Sequence, residues 1–395
     1  MAESLQISRA RHQYNSPMNT VLNLITGLNT GGAEMMLYKI IHQDQDYRHV
    51  VIALNGATTT PIGRRLQASN VEVHSLNLKS SRLKIPALMT LFKLLGKYRP
   101  TTVHCWMYHT ALVSVLAKPF MRHAQLVWNI RHSIHDIKLE TLPLRIVISL
   151  CAWMSWLPSR IIYNSSISKR QHEALGFNSG KAVVIYNGFD LQALQSNPAS
   201  KVSLRHNYDI RESMFVIGVI ARYHPMKGHR HFLEALAELK QRRLTQGQKP
   251  GFVAVLIGAG LDADNTELVG LINQLQLQSE VRLLGEQPDI PQLINLLDCL
   301  VSSSLWGEGF SNVIGEAMAC KLPCIVSNVG DSPFIVGDTG MVYEPGDTNA
   351  LVSALDAVMS TPEPIRHQQG DRALARIERN FSLDRIVEQY KTLYR

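Results

Sequence analysis

Apolar residues in this chain gather into short continuous runs, and the stretches between the runs repeat apolar positions at helical spacing. Runs at 20–26, 49–54, 71–76, 102–106 and 125–130 predict buried strands, and the spacing at 33–42, 85–98 and 111–118 predicts helices between them. An apolar helix at 142–156, a strand at 160–164, a polar helix at 166–175 and a strand at 181–186 continue the alternation. Strand and helix alternating in this way imply a doubly wound α/β domain.

The pattern then restarts. Strands are predicted at 214–221, 252–257, 281–283, 297–301, 324–327 and 340–343, with helices at 231–241, 267–275, 289–297 and 350–359 and one or two more in 366–395. Between the halves, 192–207 is polar, contains Asn197-Pro198-Ala199-Ser200 and reads as a connection. The expected division is a polar tail 1–16, a first domain 17–191, a connection 192–210, a second domain 211–370 and a C-terminal helix 371–395 able to pack back on the first domain. Two such halves leave a cleft between the carboxyl ends of their strands, where ligands bind in this architecture.

One stretch carries the most chemistry. Glu308-Gly309-Phe310-Ser311-Asn312-Val313-Ile314-Gly315-Glu316 follows an apolar run and leads into Ala317-Met318-Ala319, so it reads as strand, small-residue loop and helix, with Ser311-Asn312 at the cap. A helix N-terminus beside a glycine aims free N–H groups at one point and suits phosphate, and carboxylates accept hydrogen bonds from sugar hydroxyls. The combination points to a sugar nucleotide. Its plain alternative is an ordinary strand-loop-helix with surface glutamates.

Charge and cysteines narrow the partners. The 40 basic and 32 acidic residues give +8 and a pI near 9.2, which favours a phosphate-rich ligand or an anionic membrane surface. Lys and Arg are scattered and no zinc-finger or RNA-binding signature is present, so nucleic acid is not expected. Five cysteines without paired spacing read as reduced thiols, and the polar 1–16 has no apolar core of a signal peptide. No run reaches the length needed to span a bilayer. The helix at 142–157, with Trp153 and Trp156 between Arg145 and Arg160, is either a core helix or a membrane-facing one. Two features resemble metal sites and are set aside. His132, His135 and Asp136 read as loop polar groups, and the Asp-x-Asp pairs at Asp44/Asp46 and Asp262/Asp264 read as a polar connection and a helix cap.

Read together, the motifs resemble those of the retaining glycosyltransferases of family 4, with the GT-B fold. The matching pieces are Thr26-Gly27-Leu28-Asn29-Thr30-Gly31-Gly32-Ala33-Glu34, Tyr163-Asn164-Ser165, Ile185-Tyr186-Asn187-Gly188-Phe189-Asp190, Gly218-Val219-Ile220-Ala221-Arg222, Lys227-Gly228, Leu256-Ile257-Gly258-Ala259-Gly260, 308–316 and Pro345-Gly346-Asp347, in family order. The resemblance implies two Rossmann-like domains facing a cleft and a sugar moved, with retained configuration, from a UDP- or GDP-sugar to a glycan or lipid-linked acceptor of the envelope. The sugar nucleotide would be a substrate, with no cofactor and no metal.

The resemblance also assigns roles. Arg222 and Lys227 would hold the pyrophosphate with the Gly309, Phe310, Ser311, Asn312 and Val313 backbone assisting, and Glu316 would accept the ribose hydroxyls. Glu308 would either hold the transferred sugar or stabilise positive charge at its anomeric carbon. Gly31 and Gly32 would let backbone approach the donor or acceptor. After the strand ending near Ile130, His132 is the functional candidate and Arg131 its rival. The expected setting is the cytoplasm, peripheral on the inner face of the membrane. Competing readings are a nucleotide-sugar epimerase or phosphorylase of the same fold, and a non-catalytic sugar-nucleotide binding module.

Overall fold

The computed structural model describes residues 19–56, 59–78, 85–121 and 123–395, so the polar tail expected at 1–16 lies outside the described residues. Among them the strands form two wholly parallel sheets. The first contains β1 (Thr20–Ile25), β2 (Arg48–Ala53), β3 (Glu72–Ser75), β4 (Thr102–Trp106), β5 (Gln125–Ile130), β6 (Arg160–Tyr163) and β7 (Ala182–Val184) in the order β3-β2-β1-β4-β5-β6-β7. The second contains β8 (Phe215–Ile220), β9 (Phe252–Ile257), β10 (Val281–Gly285), β11 (Cys299–Ser302), β12 (Cys324–Ser327) and β13 (Met341–Tyr343) in the order β10-β9-β8-β11-β12-β13. Each order reverses once, between β1 and β4 and between β8 and β11, and such reversals open a crevice at the carboxyl ends of the strands.

Each sheet is covered on both faces, which is why its strands read as unbroken apolar runs. In β1, Leu22 and Leu24 face a core shared with Leu91, Leu95, Trp128 and Ile148, while Val21 and Ile25 face another with Leu37, Ile40 and Trp106. All five cysteines are buried and unpaired. Burial pushes the Cys105 and Cys151 thiols up to about 12.

Three elements depart from the sequence expectation. The helix Pro61–Ala68 was not anticipated because it shows only one apolar pair at helical spacing, Ile62 and Leu66, among Arg64, Arg65 and Gln67. The stretch read as a connection contains the helix Pro198–Asn207, started by the Asn197 side chain accepting from the Ser200 N–H at 3.2 Å and by proline at the first helical position. Between the strands predicted at 324–327 and 340–343 lies the short helix Ser332–Val336.

The C-terminal region divides at Ser382, whose extended backbone (φ −59°, ψ 143°) separates the helices Glu363–Phe381 and Leu383–Tyr394. The first buries Ala373, Ile377 and Phe381 in the second domain, and the next buries Leu383, Ile386, Val387 and Tyr390 against the first. At the crossing, Phe189 N–H donates to the Phe381 carbonyl and Leu383 N–H to the Phe189 carbonyl, both at 2.9 Å. A Cβ on Gly188 would stand 2.9 Å from Leu383 Cα, so only glycine lets the two crossing segments lie this close. The last helix is further held by Tyr394 Oη to His104 Nδ1 at 2.9 Å and by Asn129 Nδ2 donating to Tyr390 Oη at 3.1 Å.

Candidate functional site

The loops after β8 and β11 meet at the reversal of the second sheet. Lys227 ends a tight turn closed by Gly228; its φ is +66° and a Cβ there would stand 2.1 Å from the Ser303 carbonyl, so no side chain fits. The turn is tied to the other loop by Ser303 Oγ donating to the Lys227 carbonyl at 2.9 Å and Leu305 N–H donating to the Met226 carbonyl at 2.7 Å. This brings the Lys227 ammonium into an ion pair with Glu308 Oε1, which also accepts from Ser304 Oγ at 2.7 Å. Glu308 is buried and doubly held. Arg222, just past β8, is exposed and has no ion pair among the described residues.

The helix Asn312–Ala319 begins beside this cluster. Ser311 occupies the N-cap position yet its side chain makes no capping bond, contrary to the sequence expectation. The first N–H groups of the helix are therefore left without the usual side-chain acceptor. Phe310 is buried among Tyr186, Phe189 and Phe381, with ring centroids 5.4–6.1 Å apart, so its side chain serves the core and only its backbone faces outward. Asn312 pairs with Asn187 of the segment that closes the first half, and Val313 is half-buried. Glu316 is partly buried; burial raises its carboxyl above the usual range, and the Lys39 ammonium from the helix Gly32–Gln43 of the first domain draws it partway back.

The first domain approaches the same loop directly. A Cβ on Gly309 would lie 2.3 Å from Ser133 Oγ and 3.3 Å from Ser165 Oγ, so glycine permits the contact between the domains. Asp331, whose N–H donates to the Gly309 carbonyl at 2.9 Å, accepts with its carboxylate from the Ser166 and Ile167 N–H groups at 2.6 and 3.2 Å. It thus caps the helix Ser166–Ala174 from the other domain. Gly330 packs its Cα behind the site: φ is +63°, and a Cβ would be 2.4 Å from the Glu308 carbonyl. Gly330→Ala is expected to cost about 1–3 kcal/mol of stability, from left-handed strain and overpacking. It should also displace Glu308, so thermal unfolding and substrate turnover both fall; unchanged turnover would show that the carbonyl contact does not position Glu308.

Arg131 and His132 leave β5 on opposite sides. Arg131 donates to Tyr390 Oη at 3.0 Å and lies 5.7 Å over the Trp106 ring, holding the last helix. His132 lies 3.4 Å by its Nε2 from Glu140. Its protonation follows from its neighbours. His172 Nδ1 meets the Ser168 carbonyl at 2.7 Å, an acceptor only, so it carries the proton, and burial lowers this ring to about 4. Tyr108 Oη, 2.6 Å from His172 Nε2, must then donate to it and accept from His132 Nδ1 at 3.3 Å. With Nδ1–H facing Tyr108 and Nε2 facing the Glu140 carboxylate, only the protonated ring satisfies both contacts; burial lowers the His132 pKa and Glu140 opposes that shift.

Gly31 precedes the helix Gly32–Gln43, where a Cβ would stand 2.4 Å from Glu34 Oε2, and Gly32 is exposed with open space about it. No group of three His, Cys, Asp or Glu able to hold a metal occurs among the described residues. Asp44 is buried against His49 at 3.0 Å, and the helix after Asp264 is capped by Asn265, not by an aspartate. Sequence reasoning passed over Ser304, Ser133, Asp331, Lys39, Tyr108 and His172. Only Ser304 carried a signal, as a small polar residue at the end of a buried strand.

Two family models cover most of the chain: Glycosyltransferase Family 4 matches residues 30–193 and Glycosyl transferases group 1 matches residues 201–376. Among curated relatives, the N-acetyl-alpha-D-glucosaminyl L-malate synthase of Bacillus anthracis is 29% identical over 197 residues, 48% of each chain. The UDP-Gal:alpha-D-GlcNAc-diphosphoundecaprenol alpha-1,3-galactosyltransferase of Escherichia coli is 26% identical over 317 residues, 78% of each. Among solved structures, Anabaena Alr3699/HepE in complex with UDP superposes with a TM-score of 0.81 at 24% identity, covering 95% of this chain and 99% of that one. A glycosyltransferase from Rickettsia africae gives 0.79 at 18%, covering 96% and 98%. These likenesses establish the two-sheet fold.

Proposed function

Because the chain belongs to the group 1, family 4 glycosyltransferases of GT-B fold, we propose that it moves a hexose from a UDP- or GDP-sugar, with retention, to a lipid-linked envelope glycan. The observation that carries this reading is the Lys227–Glu308–Ser304 cluster at the reversal of the second sheet, with exposed Arg222 and an uncapped helix N-terminus beside it. A departing nucleoside diphosphate develops negative charge, and fixed cations with free N–H groups meet that charge without a metal. Glu308 is the partner of Lys227 in the free protein. Donor phosphate takes over the ammonium, and Glu308 is then available to the sugar, either at its hydroxyls or beside an oxocarbenium-like anomeric carbon. Glu316 accepts the ribose hydroxyls, and the His132–Glu140 pair meets a substrate hydroxyl from the opposite wall.

Support for the donor comes from Anabaena HepE, whose structures hold UDP and UDP-glucose, and support for the acceptor from the Escherichia coli relative named for a diphosphoundecaprenol-linked substrate. No helix among the described residues is long and apolar enough to cross a membrane. We place the reaction at the cytoplasmic face, where a lipid-linked acceptor is presented. The test is a panel of labelled UDP- and GDP-sugars with and without a lipid-linked acceptor. Product formed only with acceptor is expected; donor converted without acceptor would replace the transferase by an epimerase.

A further inference from the structure

The fold leaves a broad apolar face on one side of the first sheet. On the helix Leu142–Met154, the exposed Leu142, Ile146, Leu150 and Trp153 fall at helical spacing on one side, while Ile148, Cys151 and Ala152 are buried on the other. Leu139 before the helix and Trp156 after it extend the exposed side, and Trp153 and Trp156 are 72% and 62% exposed. The neighbouring elements continue it: Met89 on Ile85–Tyr98, Leu116 on Tyr108–Ala117 and Phe120 in the turn Lys118–Phe120 that follows, all half or more exposed. These helices share one core beneath the sheet, so their outer sides form one surface. Soluble surfaces scatter such residues singly; concentrated on adjoining helices they mark a binding face.

Charge selects what that face meets. Between Ile85 and Arg160 the sequence holds nine Lys or Arg against two carboxylates, Asp136 and Glu140, so this region carries most of the chain's net +8. Lys93, Lys138, Arg145 and Arg160 have no carboxylate partner among the described residues. Unpaired cations around exposed tryptophan and leucine fit the interface of an anionic bilayer, where the rings enter the headgroup layer and the cations meet phosphate. The face also starts at the site. Glu140 lies against His132, and Leu142 opens the helix two residues later, so a headgroup at this edge is at the mouth of the cleft.

We propose that the outer face of the helices Ile85–Tyr98, Tyr108–Ala117 and Leu142–Met154 docks on a bilayer of anionic phospholipid, with Trp153 and Trp156 inserted. The docking rests on the transferase reading only for its purpose, presenting a lipid-linked acceptor to the cleft; the contact itself is tested without turnover.

The full-length protein is mixed with vesicles of phosphatidylcholine alone, or of equal parts phosphatidylcholine and phosphatidylglycerol, and scored by co-sedimentation and tryptophan emission. Wild type is expected to partition to the anionic vesicles with a blue shift and to be released by salt. Trp153→Ser with Trp156→Ser, and separately Lys138→Gln with Arg145→Gln, should each weaken partitioning about tenfold or more. Ile365→Ser, which removes an exposed apolar residue of the second domain, should not. Circular dichroism and thermal melting check that every variant is folded. Equal partitioning of the tryptophan variant and wild type overturns the proposal. So does a wild-type dimer that the tryptophan variant abolishes while neither binds vesicles. Vesicle binding by a wild type that binds neither UDP nor GDP would leave the docking standing and remove the transferase reading.

Discussion

Lys227→Ala is expected to lower acceptor-dependent transfer by about 10²–10³-fold, the loss found when one preorganised donor to a developing anion is removed. The geometry makes the effect larger than for a surface lysine. Lys227 is fixed by the left-handed Gly228 and by Ser303, so its ammonium is in place before the donor arrives. Its removal also leaves Glu308 buried, with only Ser304 to satisfy it, and an unpaired carboxylate repels the incoming pyrophosphate. Part of the loss is therefore the unmasked charge of Glu308. Adding Glu308→Gln to Lys227→Ala should recover some UDP affinity while leaving transfer low. Calorimetry for UDP and initial rates separate the two effects. Arg222→Ala should weaken UDP binding less, because an exposed guanidinium is screened by solvent. Unchanged UDP affinity in Lys227→Ala would remove the pyrophosphate assignment.

Glu316→Gln should move binding and stability in opposite directions. Burial raises the Glu316 carboxyl above its unfolded value, so the native state holds that proton more tightly than the unfolded chain does. The stability this group contributes is greatest below the unfolded pKa, and it declines as pH rises through the raised native value. Above that value the cost of the buried charge is fully present. Glutamine carries no charge there, and at neutral pH the variant should melt about 2–4 °C higher for each kcal/mol recovered, the gain vanishing in acid. UDP affinity should fall about 10–100-fold, since ribose hydroxyls lose a charged acceptor. Melting curves across pH, with calorimetry at neutral pH, check both halves. Loss of affinity with no rise in melting temperature would count against the burial account, and a rise with intact affinity would remove Glu316 from the ribose.

The parts of the site that were legible are those written in consecutive residues. Lys227-Gly228 and 308–316 each lie in one loop, whereas the crowding of Gly228 by the Ser303 carbonyl and of Gly309 by Ser133 shows only in the structure. The partners from elsewhere in the chain were not legible. Asp331 reads as a polar residue after a turn until the Ser166–Ala174 helix lies under it, and Lys39 reads as a solvated charge on an amphipathic helix until Glu316 comes opposite. The same holds for the rivals after β5. Arg131 and His132 are adjacent, and only the placement of Tyr390 and Trp106 on one side and Glu140 and Tyr108 on the other tells their surroundings apart.

By itself the sequence determined the two α/β halves, since strands buried on both faces must be continuous apolar runs and the residues at 102–106, 125–130, 252–257 and 324–327 became strands with those same ends. The tertiary structure alone decided the break at Ser382 that sends the last helix back to the first domain, the capping of one domain's helix by the other's Asp331, and the tautomer chain through Tyr108 and His172. Periodicity records that a face is buried. It does not record against what, and a hydrogen bond or ion pair is fixed only when both partners have a place.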